Sequence, residues 1–195
     1  MSIDAKQVAD LRAQTGAGMM DAKKALEETS GDVEKAVVLL RERGVAKAAK
    51  KADRETHEGR VHSYIHANGK LGAMVEVLCE TDFVARNEAF ISFCHDLALH
   101  VSAADPLYLS RQDVPEEIVT KEKEIYTAEM EGQGKPSEVI AKIVEGKLNK
   151  WYSEVVLLEQ PFIKDEDVTI EEFVKSKIAS LGENMQIRRF ARFSI

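Results

Sequence analysis

The apolar residues of this 195-residue chain change period along its length. From Ser2 to Arg43 they recur at spacings of three and four, as Val8 and Leu11, then Ala22, Ala25 and Leu26, then Val33, Ala36, Val37 and Leu40. That is the stripe of three short helices. Between Arg60 and Cys79 recurrence gives way to alternation, with Ala73, Val75, Val77 and Cys79 opposed to Met74, Glu76 and Leu78. Asn68-Gly69 lies between the two arms and is a strong two-residue hairpin signal. Helical spacing returns after Asn87 with Phe90, Phe93, Cys94, Leu97, Ala98 and Val101, and alternation returns from Ile187 to Ile195, where Ile187, Arg189, Ala191, Phe193 and Ile195 oppose Arg188, Phe190 and Arg192. Helices interrupted by a few antiparallel strands predict an α+β fold, with a three-stranded sheet from 60–66, 71–79 and 186–195.

Stop and start signals divide the chain further. Thr15-Gly16-Ala17-Gly18 separates the first two helices, Asp32 in Ser30-Gly31-Asp32 is placed to cap the third, and Gly44 is placed to end it. Residues 1–44 therefore read as a three-helix domain and 45–58, rich in Ala, Lys and acidic residues, as a linker. Asn87 is a natural cap for the Phe90 helix, which Asp105-Pro106 stops. Asp113-Val114-Pro115-Glu116 opens a helix carrying Ile118, Ile125 and Ala128, and Gly132-Gln133-Gly134-Lys135-Pro136 breaks it. Ser137 then caps a helix carrying Val139, Ile140, Ile143, Val144 and Trp151. These two predict a projecting antiparallel hairpin over 113–151, inserted in an α+β core of 59–112 and 152–195. Thr169-Ile170-Glu171-Glu172 is a capping box for a last helix that Gly182 closes.

Charge and motif content narrow the function. A net charge of -7 has the wrong sign for a domain that lives on phosphate contacts, so a protein or small-molecule partner is expected rather than nucleic acid. The longest apolar run, Ala36 to Leu40, is far too short to span a membrane, and Met1-Ser2-Ile3-Asp4 opens no signal peptide, which predicts a cytoplasmic protein. Cys79 and Cys94 lack a CxxC pattern and read as reduced, packed thiols. Gly132–Ser137 resembles a phosphate loop only superficially, because Glu129 stands where glycine is needed and Pro136 where the metal-binding hydroxyl belongs. Gly16-Ala17-Gly18 follows no strand. His62, His66, His95 and His100 show no metal-ligand spacing with the cysteines, and Asp82 has no catalytic companion at readable spacing. No catalytic residue, metal or cofactor is expected.

Two places are ambiguous from pattern alone. Met19 and Met20 open a helix side by side, where one must face away from a small bundle; a core Met with a harmless neighbour and a protein-binding surface are evenly balanced. Phe83, in Thr81-Asp82-Phe83-Val84 between a strand and a helix, is either tucked under the sheet or offered as an aromatic anchor, and periodicity favours burial.

Two segments, Thr15 to Leu26 (TGAGMMDAKKAL) and Cys79 to Asn87 (CETDFVARN), together resemble the signatures of the elongation factor Ts family. Further likeness runs through Leu97–Val101 with Pro106, Gly134–Pro136, Glu159–Phe162 and Ile187–Phe190, and so covers essentially the whole chain. The resemblance implies an exchange factor that releases GDP from elongation factor Tu, with a ubiquitin-associated-like three-helix domain, an α+β core and a helical hairpin. It implies that Arg12, Met19, Met20 and Lys23 hold the partner's GTPase domain, and that Asp82 and Phe83, flanked by Thr81 and Val84, enter that domain near its Mg²⁺ site. His100 matches a helix residue near a contact with another partner domain. Longer members carry two related sheet regions where this chain has one. The uncovered apolar face of a single sheet then predicts a homodimer. The rival function is a plain adaptor that binds without driving exchange.

Overall fold

A computed structural model describes residues 3–130 and 136–195; the glycine turn expected at 132–135 lies outside the described residues. Helices α1 (Ala5–Thr15), α2 (Met19–Glu28) and the first half of α3 (Val33–Ala49) enclose Val8, Leu11, Ala22, Ala25, Leu26, Ala36 and Leu40. Their ends follow local chemistry: Asp4 and Gln7 form a capping box on α1, Gly16 closes it at φ 67°, and Asp32 accepts from the Lys35 amide at 3.1 Å to start α3.

Strands β1 (Glu58–Ile65), β2 (Leu71–Cys79) and β5 (Met185–Ser194) form an antiparallel sheet in the order β1-β2-β5. The hairpin loop is longer than the two residues expected, because the His66 amide donates to the Leu71 carbonyl at 2.8 Å and Gly69 takes the positive φ inside the loop. Between β2 and β5 the pairing passes from Glu76–Arg189 to Val77–Ile187, so Arg188 is an extra residue, a bulge. This overturns the alternation expected for the last strand. Met185 and Ile187 lie on the inner face before the bulge, and Phe190 and Arg192 after it, opposite Val75 and Ala73. Arg192 is tolerated there because its Nε donates to the Ser102 carbonyl at 2.9 Å and its guanidinium pairs with Asp105 at 3.1 Å.

The inner sheet face is covered by α5 (Glu88–Ala104), whose Phe90, Phe93, Cys94, Leu97, Ala98 and Val101 are fully buried, and by α8 (Ile170–Leu181). The Asn87 cap on α5 and the Thr169–Glu172 capping box on α8 form as the sequence predicts. A two-stranded ribbon of β3 (Pro161–Phe162) and β4 (Asp165–Thr169), not anticipated from the sequence, leads into α8. Its Phe162 stacks on Phe173 with ring centroids 4.3 Å apart.

Gly44 does not end α3, which runs on to Ala49. A Cβ built on Gly44 would lie 3.6 Å from the Ala179 Cβ, and Ala48 belongs to the same buried cluster as the sheet. Small residues let α3 and α8 pack closely, which offsets the ~1 kcal/mol that a helical glycine costs. The start of the stretch expected to be a linker is therefore packed helix.

Helices α6 (Glu116–Met130) and α7 (Ser137–Val155) lie antiparallel, with Val119 near Trp151 and Tyr152 at one end and Tyr126 near Lys147 further along. On α6 the expected apolar face is out of phase: Ile118, Ile125 and Ala128 are exposed, and Val119 and Met130 turn inward instead. On α7 the expected face holds, with Val144 buried and Ile140, Ile143 and Trp151 half-buried; of its residues only Val139 is exposed, and Tyr152 joins the buried side. Ser137 is the first helical residue, and Pro136 occupies the cap position without a side-chain bond. No helix among the described residues is long and apolar enough to cross a membrane.

Candidate functional site

Immediately beyond β2 the chain forms α4 (Asp82–Ala85), a single turn of helix. Thr81 is its cap, accepting from the Val84 amide at 3.4 Å, and the Ala85 amide donates to the Thr81 carbonyl at 3.1 Å. Thr81 is itself held from outside the turn. Its amide and that of Glu80 donate to Oε2 of Glu183 at 3.1 and 3.2 Å, and its hydroxyl donates to Oε1 at 2.6 Å.

Inside α4, Ala85 joins the core and Val84 packs against it. Phe83, about 100° of helix rotation from Val84, is thereby turned outward. Its side chain is 83% exposed, the opposite of the buried position that periodicity favours. Asp82 beside it pairs with Arg86 at 3.1 Å on the surface. The result is an aromatic ring with an acidic neighbour, mounted on a turn whose two flanks are fixed. A ring this exposed buries little apolar area and so adds little to folding.

A second exposed apolar point sits where α1 ends and α2 begins. Ala22, Ala25 and Leu26 take all the inward positions of α2, so Met19 and Met20 are both exposed, at 49% and 62%. Neither is a core residue. Arg12, in the last turn of α1, and Lys23, which reaches Glu27 at 3.7 Å, are also exposed at this corner.

His100 is different from the other expected partner-binding residues because it is completely buried in α5. Its Nδ1 accepts from the Ile163 amide at 3.3 Å, so Nε2 carries the proton and donates to Gln160 Oε1 at 3.0 Å. The Gln160 side-chain Nε2 donates in turn to the Ala104 and Glu154 carbonyls at 3.1 and 2.7 Å. Burial lowers the His100 pKa, with the Gln160 hydrogen bond opposing it. So enclosed, His100 fastens the end of α7 and β3 to α5.

The thiols are inert packing. Burial pushes Cys79 up to about 11, helped by the charge of Glu183, and Cys94 up to about 12. His62 and His95 meet at 3.3 Å between β1 and α5, and among the described residues no three metal-ligating side chains are grouped to hold an ion. What the sequence reading missed is Glu183, which carries no local signal because its partners are 102 and 103 residues away.

The comparisons with known proteins agree with the two signature segments. A sequence model of the family described as Elongation factor TS matches residues 3–179. The elongation factor Ts of Geobacter sulfurreducens is 56% identical over 193 residues, covering 99% of this chain and 89% of that protein. That of Geotalea uraniireducens is 53% identical over 195 residues, covering 100% and 90%, and that of Koribacter versatilis is 54% identical over 195 residues, covering 100% and 89%. Identity above half along nearly the whole length, on an α+β fold with the TDFV segment at its surface, places this chain in the elongation factor Ts family of translation elongation factors.

Proposed function

We propose that this chain binds elongation factor Tu carrying GDP and promotes release of the nucleotide, by setting Phe83 and Asp82 against the partner's Mg²⁺ and phosphate site so that GTP can reload. The observation that carries this reading is Phe83, a fully presented aromatic ring on a turn fixed on both flanks. Tight nucleotide binding to a GTPase depends on a phosphate-cradling loop and a metal ion. A partner that binds best to the nucleotide-free shape must weaken the nucleotide by the factor by which the nucleotide weakens it. No bond is made or broken, so the role is that of an exchange factor and not of an enzyme. Asp82 brings negative charge beside the ring, where it competes for the cation or repels phosphate oxygens.

In the same reading Met19 and Met20, with Arg12 and Lys23, grip the GTPase domain, and the protein works in the cytoplasm. Two copies pair through the outer face of the sheet, where Val61, Ile65, Met74 and Phe193 are exposed around the Glu76–Arg188 ion pair. An apolar sheet face of that kind is stabilised by cover, and a second copy supplies it.

The test is release of a fluorescent GDP analogue from elongation factor Tu as this chain is titrated in. Exchange predicts acceleration by orders of magnitude that saturates with concentration. Binding without acceleration would instead establish the adaptor reading.

A further inference from the structure

We propose that Glu183 is a positioning residue for exchange, holding the Thr81–Val84 turn in the orientation that presents Phe83, and that Asn184 fastens the same turn to the segment leading out of α3. The inference rests on the reading of Phe83 as the element that disturbs the partner's nucleotide site.

β2 ends at Cys79, paired with Met185, so the next two amides, of Glu80 and Thr81, have no strand partner. The Glu183 carboxylate takes both, together with the Thr81 hydroxyl, in one three-bond clamp. Bonds to an ionised acceptor are stronger than neutral ones, and three on one carboxylate fix direction as well as distance. Thr81 is the cap of α4, so fixing Thr81 sets the axis of that turn and with it the bearing of Phe83.

Asn184, nearly fully buried, completes the junction. Its amide donates to Glu80 Oε1 at 2.6 Å, and its side-chain nitrogen donates to the Ala52 and Arg54 carbonyls at 3.2 and 2.8 Å. Arg54 reaches Glu80 Oε1 at 3.4 Å, and Lys51 Nζ donates to the Gly182 carbonyl. Gly182 holds φ 83°, a conformation glycine adopts without strain, and so turns the chain from α8 into this junction. Three distant segments, 51–54, 80–81 and 182–184, thus meet at the cap of α4.

The rest of the fold does not need the clamp. β2 stays paired with β1 and β5 through Cys79, and Ala85 is anchored in the core from the other side. Loss of Glu183 therefore loosens the bearing of the turn, and small misplacements of a working group are costly to rate.

The experiment measures GDP release from elongation factor Tu by the full chain carrying Glu183→Ala or Glu183→Gln, each with Phe83 intact and with Phe83→Ala. Glu183→Ala should lower the saturating release rate about fivefold and leave the half-saturating concentration within about twofold, since binding contacts elsewhere are untouched. Glu183→Gln, which keeps acceptor oxygen at the clamp, should recover most of the rate. In the Phe83→Ala background Glu183→Ala should add nothing, because the clamp acts through that ring. Amide hydrogen exchange at Glu80 and Thr81 should quicken in Glu183→Ala while Val75 and Val77 stay protected.

A Glu183→Ala protein with the parent's saturating rate overturns the inference, as does an equal loss in both backgrounds or a loss that follows the thermal midpoint. If Phe83→Ala alone leaves release unchanged, the reading of Phe83 fails and the inference falls with it. A damaging Phe83→Ala with a harmless Glu183→Ala removes the clamp alone.

Discussion

Met19 and Met20 on one side and Phe83 on the other are exposed apolar side chains in the first turns of helices, and the two mounts differ in kind. The cap of α2 is Gly18, which offers no side-chain bond, and the methionines add three rotatable torsions each. The four-residue α4 is capped by Thr81, clamped by Glu183 and followed at Asn87 by the cap of α5, whose Phe90 and Phe93 are core residues. A loosely mounted, polarizable surface suits docking, because it can adapt to a partner. A stiff ring held at both ends suits displacement, because load on it is passed to the core rather than absorbed.

The largest effect should come from the soft side. Replacing Met19 and Met20 together by Ala is expected to raise the half-saturating concentration for elongation factor Tu about 100-fold, equivalent to ~2.7 kcal/mol, with the saturating release rate within twofold of the parent. A loss in saturating rate instead would erase the distinction between grip and lever.

The outer sheet face is a third exposed apolar region, with no part in either mount. Phe193→Asp should shift the protein from a dimer to a species near the chain mass of 21.7 kDa in sedimentation equilibrium at tens of micromolar. The dimer dissociation constant should rise at least about tenfold. A parent protein that sediments only as the single chain contradicts the pairing.

Asp82→Ala should act in the same direction as loss of the ring but more weakly, about two- to threefold in release rate. The deficit should vary with Mg²⁺ concentration. Independence of Mg²⁺ would leave Asp82 a helix-end residue and nothing more.

The smallest effect is on stability through pH. His62 is shifted down by burial, then by the charges of His95 and Arg60, and His100 is shifted down by burial. Each binds fewer protons folded than unfolded, so their contribution to stability is full above the unfolded value near 6.5 and declines as pH falls below it. Urea titrations should therefore show stability rising with pH toward 6.5 and then levelling, and His62→Gln should flatten part of the slope. A slope unchanged by His62→Gln would show that His62 is not a source of it.

What was legible in the sequence is what short-range chemistry decides. Asp32, Asn87 and the Thr169–Glu172 box cap the helices they precede, and the Phe90–Val101 stripe buries as its spacing requires. The features that escaped all depend on distant partners. Gly44 reads as a helix stop until Ala179 is seen against it. The last strand reads as unbroken alternation until its pairing with β2 exposes the bulge at Arg188. Ile118 and Ile125 read as the inner face of α6 until α7 selects Val119 and Met130. At the site, the identity of the TDFV segment was legible through family resemblance. The exposure of Phe83 was implied by that resemblance and hidden from periodicity, because it follows from Val84 and Ala85 taking the inward positions.

The central claim is that Phe83 acts by being presented, and Phe83→Ala tests it most directly when GDP release and unfolding are measured on the same preparation. The account predicts a saturating release rate at least about tenfold lower, equivalent to ~1.4 kcal/mol of lost coupling, with a far-UV spectrum and thermal midpoint close to the parent's. A stable variant that releases GDP as fast as the parent would contradict it, and so would a loss of ~3–5 kcal/mol in stability of the kind a buried Phe produces.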